Sequence, residues 1–333
     1  MKHLSLVTVI LYFACAELHY ILPEEKAAAG IEENPAGSVT QITFNKKPAE
    51  KSISFSIVAD LQRTSWGERF TGREQNDEER EHLVQFISNE NISFAIIAGD
   101  MVFDGSDPGH WNDFDGLITP WQKRFKVFPV MGNHEYWGPD RASLKNLRQR
   151  FSQLQKSRWY TIEIAGVGLA IIVLDSNQKN LAELWQVQKQ WYINTLKRLS
   201  SNKIIQQVIV VSHHPPFTNS TVTGDEIHVQ RTFLPAFFEN SKTIAWISGH
   251  AHAYEHFNKN SKHFIVAGGG GGPRVILKSP GAHRDLYKAG SPRPFHYLLI
   301  TGMGKLLNFK VKGIDKGLSK IRVIDEFNIP TPR

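Results

Sequence analysis

The chain has almost no cysteine and no long apolar run beyond its first residues. Cys15 is the only cysteine among its 333 residues, so no disulfide can form within the chain and the fold must rest on its core. The same shortage excludes sites built from several thiolates, such as iron–sulfur clusters. Beyond the N-terminal segment, no apolar run reaches the ~20 residues that a membrane-spanning helix needs.

Repeats and charge blocks are also missing. The sequence has no tandem repeat, and its one low-complexity tract is the glycine run at 268–272. The formal net charge is +7 at pH 7, but Lys and Arg are scattered, so no nucleic-acid partner is predicted. A solvated surface with a modest Lys and Arg excess explains this charge, although a basic surface also suits an anionic substrate. With 41% hydrophobic residues, the composition is that of a globular protein with a sizeable core.

The first 16 residues are predicted to be a signal peptide. Met1-Lys2-His3 is a short basic start, an apolar run follows to Ala14, and Ala14-Cys15-Ala16 fits cleavage after Ala16. A bacterial lipoprotein signal would also place its cysteine here, but Tyr12-Phe13-Ala14 is bulkier than such a signal prefers. We therefore expect export to the periplasm or the cell exterior. A lipid anchor at Cys15 is the alternative, and it is the only membrane attachment that the sequence suggests.

Residues 17–50 are predicted to be a linker or irregular extension, because Pro, Gly, Ala and Glu occur there without helical or strand period. From residue 51 onward, apolar strand-like runs alternate with helix-like segments, and the tail is strand-like only. This pattern predicts a layered α/β domain with a largely antiparallel finish. The predicted strands are 53–59, 93–98, 126–131, 158–164, 167–174, 204–212, 243–248, 263–267, 295–301, 306–311 and 320–325. The predicted helices are 76–89, 110–122, 141–154, 182–200 and 228–239.

Five short polar clusters each close an apolar run of the predicted sheet. They are Asp60-Leu61-Gln62, Gly99-Asp100, Gly132-Asn133-His134-Glu135, Ser212-His213-His214-Pro215 and Gly249-His250-Ala251-His252. In layered α/β folds, ligands bind beyond the carboxyl ends of the strands. Carboxylate, amide and imidazole ligands gathered there suit Zn, Mn or Fe. Two such ions about 3.5–4 Å apart can clamp a phosphoryl group, so the clusters predict a dinuclear metal site.

The order and spelling of these motifs resemble the calcineurin-like metallophosphoesterase superfamily, from Asp60 to the terminal strands. Within it, the stretches 213–220 and 249–255 look most like the purple acid phosphatase branch. The resemblance implies a four-layer αββα sandwich at 51–328, in which helices flank two mixed sheets. It also implies two divalent metal ions, of Mn, Zn or Fe, and a small-molecule phosphate ester as substrate. The ester would be hydrolysed by a hydroxide held between the ions.

The resemblance also implies a role for each motif position. Asp100 would bridge the two metals, and Asp60 and His252 would bind the first metal. The ligands of the second metal would be Asn133, His213 and His250. His134 would act in catalysis beside Asp100, by stabilising the transition state or by protonating the leaving oxygen. A positioned imidazole of this kind is typically worth ~10²–10⁴-fold in rate.

Two positions depart from the family pattern. Most of the superfamily has a histidine where this chain has Gln62. The purple acid branch lacks that histidine but has a tyrosine where this chain has Phe103. Gln62 is therefore expected either to bind the first metal through its amide oxygen or to hydrogen-bond a water on that metal. Without a phenolate to stabilise Fe(III), we expect a colourless enzyme that uses two divalent ions. The first metal site is expected to bind its ion more weakly than the second.

The substrate pocket is less well marked in the sequence. His214 is expected to line the pocket or to be packed, and Tyr254 to line the pocket or to support a ligand. His228 lies in the segment where the purple branch has substrate-contacting histidines, but its spacing differs. The glycine run at 268–272 suggests either a phosphate cradle or close backbone packing near the metals, of which packing is the simpler explanation.

Three functions are compatible with these motifs. The first is hydrolysis of phosphate monoesters, which the purple-acid-like motifs favour. The second is a phosphodiesterase that acts on cyclic nucleotides, nucleic acid or lipid headgroups through the same metals. The third is a binding scaffold without catalysis, which would be expected to have lost several ligands. Because the predicted ligands and His134 are nearly all present, the enzymatic functions are preferred.

Overall fold

The computed structural model describes residues 37–41, 52–303 and 305–332. The predicted signal peptide, Cys15 and most of the predicted linker lie outside these residues, so the predictions made for them stay predictions. Across the described ranges, no helix combines the length and the apolar character needed to cross a bilayer.

The described residues alternate between strands and helices along most of their length. The strands are β1 (Ser38–Gln41), β2 (Ser52–Val58), β3 (Phe94–Ile97), β4 (Lys126–Pro129), β5 (Tyr160–Ile164), β6 (Leu169–Val173), β7 (Gln207–Val211), β8 (Thr243–Ser248), β9 (Tyr254–Lys259), β10 (Lys262–Ala267), β11 (Phe295–Met303), β12 (Leu306–Ile314) and β13 (Arg322–Pro330). The helices are α1 (Trp66–Phe70), α2 (Asp77–Asn89), α3 (Pro108–Gln122), α4 (Asp140–Arg150), α5 (Gln178–Leu181), α6 (Leu184–Ser201) and α7 (Ile227–Glu239).

The strands form two mixed sheets. The first has the order β1-β5-β6-β7-β8-β10-β9, and the second has the order β13-β12-β11-β2-β3-β4. In the first sheet, β6, β7, β8 and β10 run parallel, while β5 and β9 run antiparallel to their neighbours β6 and β10. In the second sheet, β2, β3 and β4 run parallel, and β11 to β13 are added antiparallel. The two mixed sheets predicted from the sequence are confirmed.

The sheets pack face to face, and helices cover their outer faces. Successive side chains of a strand point to opposite faces, and β7 shows the consequence. Val208 and Val210 join a core cluster with residues of α6 and α7. Ile209 and Val211 join the other core cluster, with residues of the second sheet and of α2 and α3. The order of layers is therefore helix, sheet, sheet, helix. The parallel strands β3, β7 and β8 are buried along their whole length, which explains their nearly continuous apolar runs.

Two strands differ from the sequence prediction. β1 lies within the predicted irregular extension and pairs in parallel with β5 at the edge of the first sheet. β9 begins at Tyr254, where no strand is predicted, and pairs with β10 through a two-residue turn. That turn is Asn260-Ser261, with φ of 53° and 61°, as a type I′ hairpin requires. It lacks the glycine that usually marks such a hairpin, and β9 itself is half polar.

The five polar clusters follow β2, β3, β4, β7 and β8, so the topology brings them to the same edge of the paired sheets. The chain turns sharply there. Among the described residues, seven that are not glycine have a positive φ, and four of these are predicted ligands. They are Asp60 (61°), Asp100 (53°), His250 (68°) and His252 (39°). Such conformations are unfavourable for most side chains and cluster at functional sites.

Candidate metal centre

Two buried carboxylates form the base of the site. The backbone N–H of Asp60 donates to the Gly99 carbonyl at 3.0 Å, which ties the ends of β2 and β3 together. The carboxylate of Asp100 lies between two histidines. One of its oxygens accepts the backbone N–H of His134 at 3.0 Å, and the other is 3.1 Å from the ring Nε2 of His213. Both carboxylates are almost fully excluded from solvent, so they require positive partners.

Three imidazole rings are oriented by backbone carbonyls. Nδ1 of His213 is 2.9 Å from the Ala98 carbonyl oxygen, Nδ1 of His252 is 2.8 Å from that of Pro273, and Nδ1 of His134 is 2.6 Å from that of Phe103. Each contact leaves Nε2 for the centre of the site. Metal-binding histidines generally have their second ring nitrogen held in this way.

The ligands predicted for the second metal converge on His213. Its Nε2 is 3.1 Å from Asn133 Oδ1, 3.1 Å from Asp100 Oδ2 and 3.2 Å from His250 Nδ1. A single ring N–H can serve only one of these three acceptors. A shared cation would satisfy all of them, since oxygen and imidazole donors are what Zn, Mn and Fe accept. The residues therefore fit a metal ion.

The ligands predicted for the first metal gather around the Asp60 carboxylate. Asp60 Oδ1 is 3.4 Å from His252 Nε2. The backbone N–H of His250 donates to both carboxylate oxygens, at 3.1 and 3.0 Å. Asp60, Asp100 and His213 place ligand atoms within 4.8 Å of one another. The first and second sets therefore meet at Asp100, as a bridging carboxylate would require.

Burial and charge act in opposite directions on these groups. Burial alone would raise the pKa of Asp100, but the charges of His213, His134 and His250 outweigh burial and hold it below its usual range. Burial would lower the pKa of His213, and the Asp100 carboxylate instead raises it to about 10. A proton must leave His213 before its Nε2 can bind a metal. Metal binding is therefore expected to release protons and to weaken in acid.

Gln62 lies beside the first set of ligands. With its amide nitrogen donating to the carbonyls of Asp60 (3.2 Å) and Asp100 (3.0 Å), its amide oxygen accepts from His252 Nε2 at 3.1 Å. The amide oxygen and His252 Nε2 thus approach the same point. This orientation suits direct binding of a cation by Gln62, and it also suits a hydrogen bond to a water on that cation.

Replacing Gln62 by histidine is expected to tighten the first metal site by about tenfold, the lower end of what changes around a metal centre produce. Imidazole is a stronger donor than an amide oxygen toward Zn and Fe. Calorimetric titration of metal-free protein with Zn²⁺ measures the larger of the two dissociation constants, which is expected to belong to the first site. Gln62→Leu is the control and should weaken that site. Equal affinities in the wild type and both variants would show that Gln62 does not contact the metal.

The three predicted pocket residues lie in different places. His214 joins the centre, because His213, His214 and His250 place ligand atoms within 4.8 Å of one another. His228 is exposed near the start of α7, where its backbone N–H donates to Glu226. Tyr254 is buried in β9, and its hydroxyl donates to Asp325 at 2.7 Å. Among the contacts that the structure describes for His228 and Tyr254, none is with a candidate metal ligand.

The buried side chain of Glu135 links the loop after β3 to the loop after β4. Its carboxylate accepts the backbone N–H groups of Asp100 (2.9 Å), Met101 (2.7 Å) and Gly132 (2.7 Å). Burial and the nearby Asp100 charge raise the pKa of Glu135 to about 7. The bonds to Asp100 and Met101 connect the loop that carries His134 to the loop that carries Asp100.

A sixth polar cluster supports the site and is missed by the sequence reasoning. Asp175-Ser176-Asn177 follows β6, just as the other clusters follow their strands. Ser176 Oγ is 2.8 Å from His214 Nδ1. The Asn177 amide donates to the carbonyls of Met131 and Gly132, each at 3.3 Å. Its position directly after an apolar strand is the signal that identifies the other five.

The glycine run at 268–272 packs against the ligands. A β-carbon at Gly268 would lie 2.8 Å from Asp60 Oδ2, and one at Gly272 would lie 2.5 Å from the His252 ring. Both distances are shorter than any real contact of a β-carbon. Close backbone packing therefore accounts for these two glycines.

The chain is similar in sequence to several known phosphoesterases. The calcineurin-like phosphoesterase family model matches residues 53–254. Purple acid phosphatase 22 of Arabidopsis thaliana is 23% identical over 264 residues, which cover 73% of this chain and 57% of the relative. Cyclic GMP-AMP phosphodiesterase SMPDL3A of Bos taurus is 27% identical over 207 residues, which cover 51% of this chain and 45% of the relative. The chain thus spans about half the length of these relatives.

A solved structure shares the fold. That of purple acid phosphatase PPD1 from yellow lupin (Lupinus luteus) seeds matches with a TM-score of 0.61 at 15% identity. The match covers 84% of this chain and 54% of that one. At this identity the likeness shows the arrangement of sheets and helices.

Proposed function

This chain belongs to the calcineurin-like phosphoesterase family, and we propose that it hydrolyses phosphate monoesters of small molecules at a two-metal site. One observation carries the proposal: six potential ligands from five separate segments meet at one sheet edge, next to His134. They are Asp60, Asp100, Asn133, His213, His250 and His252. A binding scaffold has no need to keep so complete a set.

The residues divide into two ligand sets that share one carboxylate. Asp60 and His252, with Gln62 beside them, would hold the first ion, while Asn133, His213 and His250 would hold the second. Asp100 would contact both. Two divalent ions held there would polarise the phosphoryl group and activate water. The anionic Asp100 offsets their charge, and the low exposure of the site strengthens each electrostatic contact.

His134 is proposed to transfer a proton at the phosphoryl group. Its ring is held through Nδ1 by the Phe103 carbonyl at 2.6 Å, and its backbone by Asp100 at 3.0 Å. Since a carbonyl oxygen only accepts, Nδ1 carries the hydrogen in that bond. Nε2, 3.9 Å from Asp100 Oδ2, is then the atom that can take a proton or give one to the leaving oxygen.

The side chain at position 103 supports the choice of two divalent ions. The phenyl ring of Phe103 packs edge-on against Trp137 at 4.9 Å and carries no oxygen that could bind Fe(III). The loaded enzyme is therefore proposed to be colourless. A visible absorption band of the phenolate-to-iron type in the purified protein would contradict this.

Diester hydrolysis is the second candidate. A relative with 27% identity carries the name of a cyclic GMP-AMP phosphodiesterase, and the same metal ligands can serve both reactions. Monoester hydrolysis is preferred because the motifs at 213–220 and 249–255 follow the purple acid phosphatase pattern, and a purple acid phosphatase matches 73% of this chain.

Export is also part of the proposal and is supported by the N-terminal sequence. Residues 1–16 have the basic start, the apolar run and the small residues of a signal peptide. The mass of the mature N-terminus, measured after expression in the source cells, tests it. A chain that begins at Met1 would contradict export, and an acylated Cys15 would show the lipid-anchored alternative.

Metal removal and two matched esters test the proposed function. p-Nitrophenyl phosphate and bis(p-nitrophenyl) phosphate should be offered in parallel, with Mn, Zn, Fe, Co and Mg, across pH. We expect faster monoester turnover, its loss on chelation and its return when metal is restored. Faster diester turnover would favour the second candidate. Protein that binds no stoichiometric metal, or activity that survives chelation, would contradict both.

A further inference from the structure

Aromatic rings surround His134 on its outer side. The indole of Trp137 stacks on the His134 imidazole, with ring centres 3.9 Å apart and planes 30° apart. Phe103 contacts His134 at 5.2 Å and Trp137 at 4.9 Å, and His110 meets Phe103 edge-on at 6.0 Å. We call Phe103, His110, His134 and Trp137 the aromatic wall. It joins the buried ligand cluster to the protein surface.

Trp137 is the open end of this wall. It is 41% exposed. Its backbone is nevertheless fixed: its carbonyl accepts from Ser143 Oγ at 2.9 Å, and its N–H donates to the His134 carbonyl at 3.1 Å. The ring is thus held in place at the mouth of the site while a large part of it remains uncovered.

The cleft that Phe103 shares with His110 and Leu117 is too small for an organic group. Its volume is only about 30 Å³. A single water molecule needs ~10–15 Å³ of such space. A substrate group that extends past His134 therefore cannot enter this cleft, and Trp137 is the most exposed member of the aromatic wall on which such a group could rest.

From this geometry we propose that Trp137 selects phosphate esters whose leaving group contains a planar aromatic ring, such as an aryl group or a nucleobase. The inference rests on the proposed function, since His134 must face the phosphate for Trp137 to face the leaving group. A planar ring can stack on the indole, and stacking on an aromatic side chain tolerates many different rings. A saturated group of equal size lacks the flat face that stacking requires.

Matched ester pairs test this preference. Phenyl phosphate is paired with cyclohexyl phosphate, and adenosine 5′-monophosphate with ribose 5-phosphate, so that each pair differs in one ring. We expect Trp137→Leu to lower kcat/KM for the aromatic member about tenfold more than for its partner. Trp137→Tyr should keep most of the preference because it keeps a ring. Trp66→Leu, at an exposed tryptophan that stacks on Phe70 instead, is the control and should change neither pair.

The comparison within each pair separates stacking from support of His134. If Trp137→Leu slows both members equally, or slows the saturated member more because its leaving oxygen needs a proton from His134, Trp137 acts only through His134 and the proposal is wrong. It is also wrong if Trp137→Tyr loses the preference as completely as Trp137→Leu. A preference confined to one pair would identify the aryl or the nucleobase source.

Binding of phosphonates keeps the inference testable if no ester is hydrolysed, a result that would refute the proposed function. Calorimetry with phenylphosphonate and cyclohexylphosphonate then decides. About tenfold tighter binding of the phenyl compound to the wild type, lost in Trp137→Leu, would support the stacking site. Equal affinities in the wild type would overturn it.

Discussion

Replacing Asp100 by asparagine is expected to reduce bound metal from two ions per chain to at most one, and to lower kcat/KM at least about thousandfold. Asp100 is buried between the two ligand sets: Oδ2 is 3.1 Å from His213 Nε2, and Oδ1 accepts the His134 N–H. Asparagine keeps the shape and that hydrogen bond but loses the negative charge. Two cations would then face each other without the anion between them.

Asp104→Asn is the matched control for charge. Asp104 lies in the same loop, but its carboxylate accepts from the N–H and hydroxyl of Ser106, each at 2.8 Å. Metal content by atomic emission and kcat/KM for a monoester should both stay near the wild type. If Asp100→Asn still binds two ions and turns over within about tenfold of the wild type, Asp100 is not the bridging ligand.

Replacing His134 by asparagine is expected to lower kcat by ~10²–10⁴-fold, the usual effect of losing a positioned acid or base, while both metal ions stay bound. The asparagine amide can still donate to the Phe103 carbonyl, which His134 Nδ1 contacts at 2.6 Å. What the variant lacks is Nε2. The loss of rate should therefore come without a loss of metal or of folding, and metal analysis with thermal melting checks both.

Leaving-group dependence then distinguishes the two roles of His134. If Nε2 protonates the leaving oxygen, the variant should lose more rate with an alkyl phosphate than with p-nitrophenyl phosphate, whose leaving group needs no proton. Equal losses would indicate stabilisation of the transition state instead. His228→Asn, at an exposed histidine of α7, serves as control. A His134→Asn enzyme within about threefold of the wild type would exclude both roles.

The convergence of most candidate ligands was predictable because its signal is local. Each candidate ligand follows an apolar run that is typical of a strand, and the carboxyl ends of adjacent parallel strands meet at one edge of a sheet. Asp60 and Asp100 follow the parallel neighbours β2 and β3, and His213 and His250 follow β7 and β8. Residue type and position along the chain are therefore enough to expect these side chains together.

Support of the site was harder to predict because it depends on backbone atoms of distant segments. The carbonyls of Ala98, Phe103 and Pro273 orient three imidazole rings, and every residue has such a carbonyl, so no sequence pattern marks these three. Asn177 is different, since it follows β6 in the same way that the ligands follow their strands.

The positions of the three candidate pocket residues were predictable only in part. His214 follows the candidate ligand His213 in the chain, so it was expected to lie near the ligand cluster, and it does. Tyr254 is two residues from His252, but β9 begins there, and its side chain faces Asp325 of β13 rather than the ligands. Strand direction decides which way a side chain points, and β9 has no clear sequence signal.

The sequence by itself determined which chemical groups this protein gathers and the order in which the strands supply them, because apolar strands and polar strand ends are local patterns. Only the tertiary structure decided what surrounds those groups. The stack of Trp137 on His134, the approach of Gln62 to His252 and the packing of Gly272 on the His252 ring depend on how loops from different strands meet. Such contacts arise from three-dimensional packing, which no spacing along the chain encodes.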